Sequence, residues 1–132
     1  MTRKLTLGKK ERLKSRKAIE QLFKEGRRFT VLSFRVFYLI TAGTGLKFGT
    51  GVGTRNFKKA VDRNRIKRLS REAWRLQKSS LQKELEDKKA GLHIFLIYTG
   101  KEMVEYRFVF ENLTTIINKL AELVHENNTP HS

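Results

Sequence analysis

The sequence predicts an α+β domain, one mixed β-sheet with helices packed on it. Segments of period two, near 29–40, 48–54 and 93–99, alternate with segments of helical period near 16–25, 57–78 and 108–126. The 93–99 run is apolar on both faces, as an interior strand is. A helix separates that run from the glycine-rich 48–54 segment, the order of a parallel β-α-β unit. At 132 residues the chain is a single domain with room for a modest core.

Residues 1–14 are basic and short of apolar anchors apart from Leu5, Leu7 and Leu13, so a flexible arm is expected there. Ser15 can cap a helix over 16–25 whose apolar positions are Ile19, Leu22 and Phe23, and Gly26 suits its end. So short a helix needs tertiary support. Along 29–40, Leu32, Phe34, Val36, Tyr38 and Ile40 fall on one face and are expected in the core. Ser33, Arg35, Phe37 and Leu39 fall on the other. Arg35 with Phe37 is an odd pair for a face wholly buried or wholly solvated. Gly43 and Gly45 mark a turn over 41–47.

In 48–54, Phe48, Thr50, Val52 and Thr54 line one side while Gly49, Gly51 and Gly53 leave the other bare. Glycine inside a strand marks close approach of another backbone or a ligand. It is no dinucleotide fingerprint, because the third glycine would fall at Thr54 or Asn56.

The 57–78 helix, with Asn56 as its expected cap, carries the strongest signal. From Arg55 to Arg75 there are nine Lys or Arg against two acids, Asp62 and Glu72. At about 100° per residue, Ile66, Leu69, Ala73 and Leu76 form a narrow apolar stripe. Arg63, Arg65, Lys67, Arg68, Arg71 and Arg75 sweep the remaining arc. A helix anchored on one side and offering guanidinium forks on the other fits a polyanion with regularly spaced phosphates. Arg55, Lys58 and Lys59 extend the patch. Trp74, at the edge of the arc, is expected under the last helix, with stacking on RNA as the alternative.

Residues 79–91 are polar and charged, and either extend this helix or form a surface loop. In them Glu84, Glu86 and Asp87 form an acidic cluster, expected to be solvated. The last helix, about 108–126, has Phe110, Leu113, Ile117, Leu120 and Val124 on one stripe. Residues 127–132 are expected to fray.

Formal net charge is +16 with a pI near 10.5, which points to nucleic acid before an anionic membrane surface. Without Cys, disulfides, thiolate metal sites and a Cys nucleophile are excluded. No segment reaches the ~18 apolar residues needed to cross a bilayer, and the Met1-Thr2-Arg3-Lys4 start lacks a signal-peptide apolar run. A soluble, cytoplasmic protein is expected. His93, His125 and His131 are scattered, and no carboxylate pair or nucleophile with a base stands out, so no catalytic residue is assigned.

The string Arg63-Asn64-Arg65-Ile66-Lys67-Arg68-Leu69, followed by Arg71-Glu72-Ala73, closely resembles the signature helix of the bacterial ribonuclease P protein subunit. Leu13-Lys14-Ser15 through Phe23-Lys24-x-Gly26 resembles that family's first helix, and Phe48-Gly49-x-Gly51-Val52 its strand before the signature. Two departures stand out: Thr54 precedes Arg55 where members carry a basic pair, and Ile19 stands where many have an aromatic. The resemblance implies a four-stranded mixed sheet flanked by helices in the order α-β-β-β-α-β-α, with a left-handed β-α-β crossover. It implies a partner, the catalytic RNA, that holds the active site and uses Mg²⁺, so the protein alone binds no metal or other cofactor. It also implies precursor tRNA as substrate, its 5′ leader lying in a cleft formed by Phe23, Arg35 and Phe37.

On this reading Arg63, Asn64, Arg65, Lys67, Arg68, Arg71 and Arg75 meet RNA. For Asn64 a capping or solvated amide is the alternative, and for Phe23 and Phe37 ordinary core. A membrane or DNA is not expected as partner; no clear helix-turn-helix pair is present. The remaining classes are a general RNA binder and a self-sufficient nuclease, the latter without clustered catalytic side chains.

Overall fold

A computed structural model describes residues 11–43 and 45–126. The tail at 127–132 and most of the expected N-terminal arm lie outside the described residues. The elements are α1 (Arg16–Glu25), β1 (Arg27–Val31), β2 (Phe34–Thr41), β3 (Gly45–Val52), α2 (Ala60–Gln77), α3 (Ser79–Lys88), β4 (Gly91–Tyr98) and α4 (Tyr106–Glu126). The sheet order is β1-β2-β4-β3, with β4 antiparallel to β2 and parallel to β3.

β4 is therefore interior, as its two apolar faces required. Leu92, Ile94, Leu96 and Tyr98 point into the core with Phe34, Val36 and Tyr38 of β2 and Leu46 and Phe48 of β3. α2 and α4 close this face, α2 against β3 and α4 against β1 and β2. α1 lies on the opposite face, against β2 and β4. Because β4 inserts between β2 and β3, the β2–β3 connection must pass over its start. Gly91 makes that possible, since a Cβ there would strike Thr41 and the carbonyls of Gly43 and Gly45.

Several expectations change. The 29–40 run is two strands of a hairpin, turning at Leu32-Ser33. Leu32 has φ 49° and is 75% exposed, so it is a turn residue and not core. The turn inverts the phase of the alternation: Phe29 and Val31 of β1 share the core side with Phe34 and Val36 of β2, and Leu32 merely continues the even-numbered apolar series into the turn. Residues 79–88 form a fourth helix, α3, which continues almost directly from α2 and buries Leu81 and Leu85. Lys89 in the left-handed region ends it. The cap of α2 is Lys59, and Asn56 instead donates to the carbonyls of Thr99 (3.4 Å) and Gly100 (3.2 Å). Ser15 does cap α1, accepting from the Ala18 N–H at 3.3 Å.

The expected arm also ends sooner. Arg12 bridges to Phe48, Leu13 donates its N–H to the Phe48 carbonyl at 3.0 Å, and Leu13 is buried. Glu11 pairs with Lys78, which is buried at the α2–α3 junction. Residues 11–13 thus strap the outer edge of β3.

The strap and the neighbouring ring explain the bare side of β3. A Cβ on Gly49 would sit 2.7 Å from Cδ1 of Phe95 and 3.1 Å from the Leu13 carbonyl, whereas one on Gly53 would meet nothing within 4 Å. Gly49→Ala is expected to cost about 1–3 kcal/mol through overpacking, and Gly53→Ala to stay within ~0.5 kcal/mol. Urea denaturation of both variants checks this; equal effects would show that Phe95 does not press on β3.

Candidate nucleic-acid interface

Two surfaces carry the residues singled out above. On α2, Ile66, Ser70, Ala73 and Trp74 are buried. The stripe is rotated from the expected one: Leu69 is half-buried and Leu76 is 41% exposed. Two facts cause the rotation. The Trp74 ring stacks on Phe48 of the sheet (centroids 4.4 Å apart, 12° between planes) and offers far more area to bury than Leu76. Ser70 tolerates burial because its hydroxyl donates to the Ile66 carbonyl at 2.9 Å. Trp74 is thus core, packed on the sheet and not available to RNA.

The opposite arc presents Asn64, Arg65, Arg68 and Arg71 to solvent, with Lys67 half-buried beside them. Among the described residues, Asn64, Arg65, Lys67 and Arg68 have neither an acidic nor a hydrogen-bond partner. Asn64 does not cap the helix. Burial and the nearby Arg12 guanidinium lower the pKa of Arg71 from its ordinary value.

Two signature arginines differ. Arg63 donates from Nη1 to the carbonyls of Phe57 (2.7 Å) and Lys58 (2.8 Å). It braces the segment that precedes α2. Arg75 pairs with Glu72 one turn back, which raises the pKa of Arg75 and lowers that of Glu72. The braced segment exposes Arg55, Lys58 and Lys59. Buried Phe57, near the Tyr98 ring, and the Asn56 bonds to the end of β4 hold it down.

The second surface is the sheet face that α1 only partly covers. Phe23 lies 4.7 Å from Phe37 and 5.4 Å from Phe95, centroid to centroid, yet is 44% exposed. The rings are therefore not ordinary core. Register sets Arg28, Phe37, Phe95 and Gly49 in one row across the sheet, and Thr30, Arg35, Ile97 and Gly51 in the next. Arg28 and Arg35 are exposed. A basic, aromatic floor results, kept low on the β3 side by glycine.

Phe95 escaped the sequence reading because period two says which face a residue takes, not which neighbours the strand acquires. Placing β4 between β2 and β3 brings Phe95 beside Phe37. His93, at the end of the same face, is half-buried. Burial and then Lys47 lower its pKa below the ordinary histidine value, so its ring is neutral at pH 7. Glu84 of the acidic segment bonds His125 at 2.9 Å. Among the described residues no three His, Asp or Glu side chains gather as a metal site, and no helix is long and apolar enough to cross a membrane.

Residues 7–121 match the family model described as Ribonuclease P. The chain belongs to the ribonuclease P protein family. A ribonuclease P protein component from Porphyromonas gingivalis (strain W83) is 35% identical over 118 residues, covering 87% of this chain and 86% of that one. One from Desulfovibrio desulfuricans is 31% identical over 120 residues, covering 90% and 89%. Among solved structures, the RNase P protein from Thermotoga maritima superposes with TM-score 0.66 at 27% identity, covering 83% of this chain and 96% of that one. The Staphylococcus aureus RNase P protein gives 0.67 at 20% identity, covering 86% and 97%, and supports the fold. As a ribonuclease P protein, the chain is the protein component of a holoenzyme that acts in 5′ processing of tRNA and has an RNA partner.

Proposed function

We propose that the two surfaces divide the work of the holoenzyme. The exposed arc of α2 — Asn64, Arg65, Lys67, Arg68 and Arg71 — grips the catalytic RNA, with Arg55, Lys58 and Lys59 continuing the contact. Arg63 holds that flanking segment in place, and Arg75 acts from within its pair with Glu72. The observation that carries this reading is a helix pinned on one face by Ile66, Ala73 and Trp74, while Arg65, Lys67 and Arg68, without an ion-pair partner among the described residues, stand on the other. The planar guanidinium fork is pre-organised for bidentate phosphate contact, so less rotamer freedom is lost per hydrogen bond formed.

The floor of Phe23, Phe37 and Phe95, with Arg35 beside it, holds the 5′ leader of precursor tRNA. Aromatic stacking with a basic track holds single strands without strong sequence preference, each stacked base contributing about 1–3 kcal/mol. The RNA supplies the active site and uses Mg²⁺; the protein raises substrate affinity. The cytoplasm is the compartment that suits this role.

Reconstitution tests it. Protein plus bacterial ribonuclease P RNA is expected to cleave precursor tRNA at Mg²⁺ concentrations where the RNA alone is slow, and protein alone to cleave nothing. The stimulation should shrink when the leader is cut to one nucleotide. No stimulation by the protein would remove the reading, and stimulation indifferent to leader length would remove the leader assignment.

A further inference from the structure

Leu76, Glu72 and Arg65 share one flank of α2, and Leu76 is left 41% exposed. It lies between two α2 residues that engage α4. Glu72 acts electrostatically on Tyr106, and Gln77 donates from Nε2 to the Phe110 carbonyl at 3.0 Å while accepting from the Thr114 hydroxyl at 2.5 Å. Across this seam Tyr106 and Phe110 stand one turn apart on α4, centroids 5.8 Å apart and 57° between planes. Both are half-buried, and with Arg107, Glu111 and Thr114 they line a shallow hollow of about 560 Å³. Its walls are aromatic and its rim is the exposed Arg107–Glu111 pair.

We infer that this hollow receives an unpaired nucleobase of the same RNA that docks on the arginine arc of α2. The inference rests on the RNA-binding reading of α2 and extends it past phosphate contact. Proteins read RNA chiefly where bases are unstacked, and aromatic side chains accept such bases by stacking. Tyr106 lies near the Glu72–Arg75 pair of α2, and Arg65 stands two turns before Glu72 on the same flank, so a strand held on the arc by its phosphates can turn a base onto Tyr106. Burial first, and then Glu72, raise the Tyr106 pKa from its ordinary value, against a smaller opposing effect of Arg75. A second copy of the chain is a poor occupant, because each copy carries a net charge of +16.

Tyr106→Leu and Phe110→Leu keep apolar bulk and remove the rings. Titrated with the ribonuclease P RNA transcript, each variant is expected to bind roughly ten-fold more weakly. The salt slope should be unchanged, since no phosphate contact is lost. Unaltered affinity, while Arg65→Ala still flattens the slope, would overturn the nucleobase site and leave the RNA face standing. A flat response from both would remove the RNA reading of α2 as well. A second measurement does not depend on packing: a benzophenone amino acid in place of Arg107, whose side chain is 88% exposed, is photolysed in the holoenzyme. Crosslinking to an unpaired nucleotide supports the site. Crosslinking only to another copy of the protein, or none, overturns it.

Discussion

Replacing Arg65 and Arg68 together by Ala is expected to lower affinity for the catalytic RNA and to flatten its dependence on salt. Each phosphate contact contributes about 0.7–0.9 to the slope of log K against log salt, so the pair should remove about 1.4–1.8. Each charged hydrogen bond lost costs about 1.5–3 kcal/mol. Both side chains are exposed, and neither has an ion-pair or hydrogen-bond partner among the described residues. Lys88→Ala, at an equally exposed cation on α3, supplies the contrast and should leave the slope alone. Binding titrations at several salt concentrations decide the matter. A double variant with the parental slope would show that the arc faces away from RNA.

The second large effect is on stability. Trp74→Ala should cost about 3–5 kcal/mol, lowering the melting temperature by roughly 10–20 °C for a domain of this size. Trp74 is fully buried on Phe48 and ties α2 to the sheet. Among the described residues its indole nitrogen has no hydrogen-bond partner. Trp74→Phe keeps the stack and removes that unpaired donor, so it should lose much less than Ala does. Thermal unfolding separates the three proteins. As the only Trp, residue 74 also reports directly: its emission should be that of a buried indole and should not change when RNA is added. Quenching by RNA would restore the alternative in which the ring stacks on a base.

Much of this was legible in the residues, and the limits have physical causes. The strand apolar on both faces identified the interior strand, because only a residue run buried twice can be greasy throughout. The cation arc of α2 was legible because helical period and charge coincide there. The core side of the same helix was read one step out of phase. Pattern counting weighs Leu76 and Trp74 alike, while packing favours the larger ring and allows a self-satisfied serine into the core. The hairpin at Leu32-Ser33 left no glycine or proline to mark it. Part of the aromatic floor depended on pairing: Phe95 joins Phe23 and Phe37 only because β4 inserts between β2 and β3. Arg63 looked like its neighbours in sequence, and only the path of residues 57–59 reveals the carbonyls that claim it.

The strap at residues 11–13 bears on how the free subunit survives before assembly. An open sheet ends in rows of unpaired amides that invite other chains to add on. Here one border is bridged at Phe48 by Arg12 and Leu13, and the other, β1, is only five residues long and begins with Arg27 and Arg28. A short border led by two cations and a border bridged at Phe48 both discourage the addition of a further strand.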